Sequence, residues 1–274
     1  MRKSFLILIC SLLLLCGCGK KEPQAQIAAT TGPVAQFAQL VTEGSGLTVT
    51  QVISESVSCL HDYSLSVGQM EAISGSEVVL ISGGGLEDFM EQALESADRV
   101  VDCSAGIALH ETDPHFWLDP SCAAQMLQTI ADALSEQYPQ HAEQFQENAA
   151  ACLPKFSQLQ QYGEDTLQSV SCRELITFHD GFGYLASAFD LNILAAIEEE
   201  SGSEASAQAL IEIIDLVNTH DLPAVFTEKN GSDAAASVIQ AETGVPHYAL
   251  DMGLNGDYFS VMTANIDTLK EALQ

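Results

Sequence analysis

The stretch ELITFHDGFGYLASAFDLNILAAI, residues 174–197, decides the fold. Its opening segment, 174–178, is an apolar and β-branched run of strand character, 183–189 carries a helical pattern, and 192–197 returns to a strand run. Strand, helix and strand in succession form a crossover unit, which lays the two strands parallel. Downstream the rhythm continues, with strand candidates at 224–227 and 247–250 and helices at 205–219, 234–243 and 258–273. Upstream it recurs as strands at 27–31, 47–53, 77–81 and 99–103, with helices at 32–43, 66–74 and 86–97. Between these halves, a polar, alanine-rich stretch from Ser121 to about Val170 is helical in pattern, with breaks expected at Pro139 and near Pro154. The expected fold is therefore α/β, with parallel-sheet lobes at 26–120 and 171–274 and a helical connector at 121–170. The halves share a rhythm but no sequence repeat.

In open parallel sheets, ligands sit at the carboxyl ends of the strands. Four metal-ligating side chains fall at such places. His61 follows the strand run 47–53 after a loop, His115 lies in the loop beyond 99–103, His179 ends 174–178, and Asp251 ends 247–250. Three imidazoles and a carboxylate suit a borderline divalent cation such as zinc, and two ligands from each half put the ion in the cleft between lobes. Four deprotonated ligands leave no open position for water, so the ion would be held rather than used as a Lewis acid. No HExxH pair is present to support an anchored zinc hydrolase, and an adhesin or structural lipoprotein is the other alternative. His141, His220 and His247 lack this setting and read as structural, while His110, in His110-Glu111-x-Asp113, is a candidate accessory metal-collecting loop. Asp119 and Asp180 are candidates either for orienting ligand histidines or for helix capping. Glu228 reads as an ion-pair or ligand-orienting residue, with competition against Asp251 for the metal as the alternative.

Composition narrows the partners. A formal charge of -29 and a pI near 4.1 exclude nucleic acid. A hydrophobic share of 47% in 274 residues is enough for a large core. Of 8 cysteines, Cys10, Cys16 and Cys18 lie at the N-terminus. The others, Cys59, Cys103, Cys122, Cys152 and Cys172, contain no C-x-x-C pair, which argues against a cysteine zinc site. Cys59 with Cys103, or Cys152 with Cys172, are candidate disulfides, and free buried thiols are the alternative.

The N-terminus differs from the rest. Arg2 and Lys3 precede an apolar run, 5–15, too short to span a bilayer but suited to a signal-peptide core. Leu15-Cys16-Gly17-Cys18 resembles the lipobox of bacterial lipoproteins. It implies a signal peptide at 1–17, a lipidated Cys18, with Cys16 its positional rival, and a tether at 18–25. The body would then sit outside the cytoplasm, held to the cell membrane through its N-terminal lipid.

Two segments carry a family resemblance. DPHFWLDP (113–120) and TFHDGFGYLASAFDL (177–191) closely resemble signature segments of the solute-binding proteins of zinc and manganese ABC importers, cluster A-I. Collinear, weaker matches are HDYSLSVGQM (61–70), SGGGLEDFM (82–90), FTEKNGSDAAASVIQAETG (226–244) and ALDMG (249–253). The resemblance implies two lobes joined by a long backbone helix, a metal held by His61, His115, His179 and Asp251, and delivery of that metal to an ABC transporter permease. Manganese-type members place glutamate where this chain has His179, so the resemblance favours Zn2+, with Mn2+ the alternative.

Overall fold

In the computed structural model, residues 26–54, 63–110, 113–198 and 205–274 are described. The apolar runs form two separate sheets. The first contains β1 (Ile27–Ala29), β2 (Val49–Gln51), β3 (Val78–Ile81) and β4 (Val100–Asp102) in the order β2-β1-β3-β4. The second contains β5 (Glu174–His179), β6 (Asn192–Glu198), β7 (Val225–Glu228) and β8 (His247–Leu250) in the order β6-β5-β7-β8. All pairings are parallel. The halves thus share strand order as well as rhythm, and each reverses its winding between its first and third strands, where a crevice opens at the carboxyl ends.

The first half carries α1 (Gly32–Thr42), α2 (Val67–Gly75) and α3 (Glu91–Leu94); the second carries α6 (Gly183–Ala188), α7 (Ala207–Thr219), α8 (Ala234–Thr243) and α9 (Tyr258–Ala272). Between them, α4 (Pro120–Gln137), a 3-10 turn at Pro139–His141 and α5 (Ala142–Leu167) form the helical connector. Asp119 caps α4 by accepting the Ser121 N–H at 2.6 Å, with Pro120 at the first helical position, where its missing N–H costs nothing.

Two expectations need correction. Residues 86–97 do not form one helix but a 3-10 turn, Asp88–Met90, followed by the short α3. Gly83, Gly84 and Gly85 all have positive φ, which curls the preceding loop, and Glu87 turns inward instead of starting a helix. Pro154 does not break the connector: α5 runs through it for 26 residues. Pro154 and Ala150, whose carbonyl loses its N–H partner, both face solvent, where water replaces the bond, while Cys152, Phe156, Leu159 and Gly163 keep the other face packed. The four described cysteines outside the N-terminus, Cys103, Cys122, Cys152 and Cys172, carry free thiols, so Cys152 and Cys172 are not joined; Cys59 lies outside the described residues.

One continuous core runs through both halves and the connector. Phe37 of α1, Phe156 of α5 and Tyr258 of α9 meet at its centre with ring centroids 5.1 to 5.7 Å apart. Gln36 of α1 accepts the Tyr258 N–H at 2.8 Å and donates to the Gly256 carbonyl. Gly163 lets the Phe189 ring rest against α5, a place any Cβ would occupy. The lobes are therefore packed on the connector and on each other.

In the first sheet the crevice is closed from within. Glu87, 3% exposed, accepts the Thr30 hydroxyl at 2.6 Å, the Ser82 N–H at 2.7 Å and the Gly83 N–H at 2.9 Å. The Thr31 and Ser82 hydroxyls meet at 2.9 Å beside it. Burial raises the Glu87 carboxyl above the ordinary range, the nearby Asp102 charge adds to this, and the three hydrogen bonds oppose it.

Candidate metal centre

His179 is the last residue of β5, and His115 immediately precedes a 3-10 turn at Phe116–Leu118. The two imidazoles are 3% and 6% exposed and meet edge to face, with centroids 5.2 Å apart and planes at 78°. Neutral imidazoles buried at this spacing can share one cation through their ring nitrogens.

Asp113 sets the orientation of His115. Its Oδ1 accepts the His115 backbone N–H at 2.9 Å and lies 2.9 Å from Nδ1, while Oδ2 accepts the Gly183 N–H at 3.0 Å. A proton on Nδ1 shared with the carboxylate leaves the Nε2 lone pair for a metal. Burial pushes the Asp113 carboxyl up, but its contacts with His115 and the Gly183 N–H outweigh this and hold it below the usual range.

The glycines of the segment HDGFG make the room. A Cβ on Gly181 would lie 2.7 Å from His115 Nδ1 and 2.6 to 2.7 Å from the His179 ring, and one on Gly183 would lie 2.8 Å from Asp113 Oδ2. Neither distance is tolerable for a real Cβ. The turn from β5 to α6 thus lies directly against both imidazoles.

Asp251 follows β8, two strands from His179 in the sheet. Its main chain is clamped by Asn265, which accepts the Asp251 N–H at 2.9 Å and donates to its carbonyl at 2.8 Å. Its Oδ1 accepts the Gly253 N–H at 2.9 Å, and its Oδ2 is 2.8 Å from Lys229 Nζ. The carboxylate beside it holds the Lys229 ammonium above the ordinary lysine range. Glu228, buried at the end of β7, stands on the strand between His179 and Asp251. The structure therefore brings His115 and His179 together and keeps Asp251 in an ion pair. Among the described residues, no three His, Cys, Asp or Glu side chains form a ready metal cluster. His61, Glu111 and Cys18 lie outside those residues.

Trp117 connects these parts. Its indole N–H donates to the Met252 carbonyl at 2.8 Å, next to Asp251, and its ring packs 5.3 Å from that of His115. Tyr258 donates its hydroxyl to the Trp117 carbonyl at 2.8 Å.

The remaining histidines make packing or polar contacts. His110 stacks on Tyr184 at 4.1 Å, His141 stacks on Phe145, His220 meets Glu174 at 2.9 Å, and His247 meets Gln240 at 3.2 Å. Asp119 is a helix cap, and Asp180 is exposed. Sequence reasoning placed Asp113 in an accessory loop and missed its grip on His115; the D-x-H spacing was the available signal. It missed Gly181 and Lys229 as well. For Gly181 the clue is a glycine two residues after a strand-terminal histidine, whereas nothing local pairs Lys229 with Asp251.

The family profile described as ZnuA, the periplasmic component A of a zinc-uptake complex, matches residues 27–272. The zinc-binding lipoprotein AdcA of Streptococcus pneumoniae (strain ATCC BAA-255 / R6) is 26% identical over 307 residues, covering 99% of this chain and 61% of that protein. This chain thus spans less than two thirds of that relative's length. The manganese-binding lipoprotein MntA of Halalkalibacterium halodurans is 27% identical over 231 residues, covering 78% of this chain and 77% of that one. Among solved structures, the Zn(II)-bound ZnuA-like domain of Streptococcus pneumoniae AdcA matches with a TM-score of 0.80 and 26% identity, covering 91% of this chain and 99% of that one. With its sheets, connector and histidine pair in place and a profile running through both lobes, the chain belongs to the ZnuA family.

Proposed function

We propose that this chain is the extracytoplasmic binding component of an ABC importer for a divalent metal, with Zn2+ as its cargo, and that it delivers the ion to a membrane permease. The observation that carries this reading is the buried pair His115 and His179, with His115 oriented by Asp113. The ligand set is His61, His115, His179 and Asp251, with 26–120 and 171–274 as the lobes and 121–170 as the spine. Nitrogen donors favour zinc over manganese, which prefers oxygen. Manganese is the competing cargo, because the MntA relative is named for it. The chain is a binding protein and not an enzyme, in keeping with its family.

Anchoring belongs to the same reading. Residues 1–17 serve as the signal peptide, Cys18 takes the lipid and 18–25 tether the body, as the lipoprotein names of AdcA and MntA support. Changing Cys18 to alanine should then move the chain from the membrane to the soluble fraction.

The decisive experiment is calorimetric titration of the metal-free protein with zinc, with and without His179→Ala, followed by competition with manganese. Loss of at least about 100-fold in affinity is expected in the variant, since removing one of four ligands deletes a full metal bond. Unchanged affinity overturns the ligand set, and displacement of zinc by equimolar manganese overturns the choice of cargo.

A further inference from the structure

Lys229 is the charged group in the centre that holding a cation does not require. It follows Glu228 past the end of β7, and its backbone N–H donates to the Leu250 carbonyl at 2.8 Å, which roots the side chain beside the end of β8. From there Nζ reaches Asp251 Oδ2 at 2.8 Å. The two oxygens of Asp251 are held in different ways. Oδ1 accepts a backbone N–H, from Gly253, and the Asp251 main chain is fixed on both sides by Asn265. That half of the carboxylate cannot change partners without dismantling the turn. Among the described residues, Oδ2 is held only by a flexible four-carbon stem, and the Lys229 side chain is 60% exposed against 23% for Asp251. One oxygen is therefore fixed, and the other can be exchanged.

We propose that Lys229 is an internal counter-ion that competes with the metal for Asp251 Oδ2. This rests on Asp251 being a metal ligand. In the ion-free protein, the ammonium neutralises a carboxylate that otherwise shares one sheet edge with Glu228 in a chain of net charge -29. An arriving cation takes Oδ2 and the ammonium swings into solvent, which costs little because most of it is already hydrated. The reverse exchange helps the ion leave. Lys229 thus lowers retention and quickens release, which suits a protein whose task is to hand its cargo on.

Zinc alone serves as the probe, titrated into the full metal-free chain and withdrawn by a chelator. An exposed pair of this kind is worth up to about 1 kcal/mol. Lys229→Gln should therefore bind zinc about fivefold more tightly and release it correspondingly more slowly, with Lys229→Arg near the parent. In an Asp251→Asn background, Lys229→Gln should have no effect. If Asp251→Asn weakens binding while Lys229→Gln leaves it unchanged or weaker, the exchange is wrong and the ligand assignment stands. A gain from Lys229→Gln that persists without the Asp251 carboxylate also overturns the exchange, since it then reflects charge acting through space. If Asp251→Asn leaves zinc affinity intact, the ligand assignment itself fails, and the exchange falls with it.

Discussion

The two sheets have the same strand order, yet their equivalent crevices contain opposite arrangements. Between β1 and β3 the opening is plugged by Glu87, whose carboxylate takes a hydroxyl from one strand end and two backbone N–H groups from the other. Between β5 and β7 the corresponding edge presents His179 and Glu228, and Gly181 keeps the space beside the imidazole clear. A parallel sheet that reverses its winding leaves backbone groups facing a gap, and something must satisfy them. The first lobe supplies its own anion there and becomes a strut. The second lobe leaves its opening to be shared with the His115 loop. The residues ending the fourth strands differ in the same way. Asp102 closes on its own turn, accepting the Ser104 N–H at 2.8 Å and hydroxyl at 2.6 Å, whereas Asp251 closes one oxygen and reaches out with the other.

The contrast breaks most severely if the plug is removed. Glu87→Ala leaves a hydroxyl and two backbone N–H groups without their acceptor, at a cost of about 3 kcal/mol in urea denaturation. Zinc affinity of the molecules that still fold should change little. A large affinity loss there would mean that the first crevice also serves the metal. Gly181→Ala tests the other lobe: a methyl wedged against two imidazoles should lower zinc affinity about 100-fold by calorimetry, because binding geometry tolerates displacements of only about 0.5 Å. Asp113→Asn is milder, since the ligands remain and only the orientation of His115 is loosened. A loss of roughly 10-fold is expected from such a support.

The smallest effect is a pH dependence that belongs to the plug alone. The Glu87 carboxyl is raised by burial above its ordinary value of 4.5, so the folded chain holds that proton more tightly than the unfolded chain. Its contribution to stability is fullest below 4.5 and is lost as pH rises through the folded-state value. The stability of the parent relative to Glu87→Gln should therefore fall across that upward window, as followed by denaturation at successive pH values. A difference independent of pH would mean that the carboxyl titrates alike folded and unfolded.

The legible parts of the fold were those written in local periodicity. Each predicted strand overlaps an observed one, because a buried parallel strand is a short apolar run with turns on both sides. The strand-end position of His179 could be read because the residue closes such a run. The errors arose where a local rule met a tertiary condition. Residues 86–97 have helical composition, but the inward turn of Glu87 serves Thr30, which is 57 positions away. Pro154 should interrupt a helix, yet the carbonyl it orphans, that of Ala150, lies on the solvent side. The ion pair of Lys229 with Asp251 joins residues 22 apart on neighbouring strands and leaves no trace in either segment.

Trp117 is the only tryptophan in the chain. Its indole is hydrogen-bonded beside Asp251 and packed against His115, so the sole strong fluorophore spans the two loops that carry these proposed ligands. Light emitted by the unlabelled protein comes from that one junction, with no second indole to dilute the signal. Under the proposed ligand set, that junction would act as a single-site optical gauge of loading.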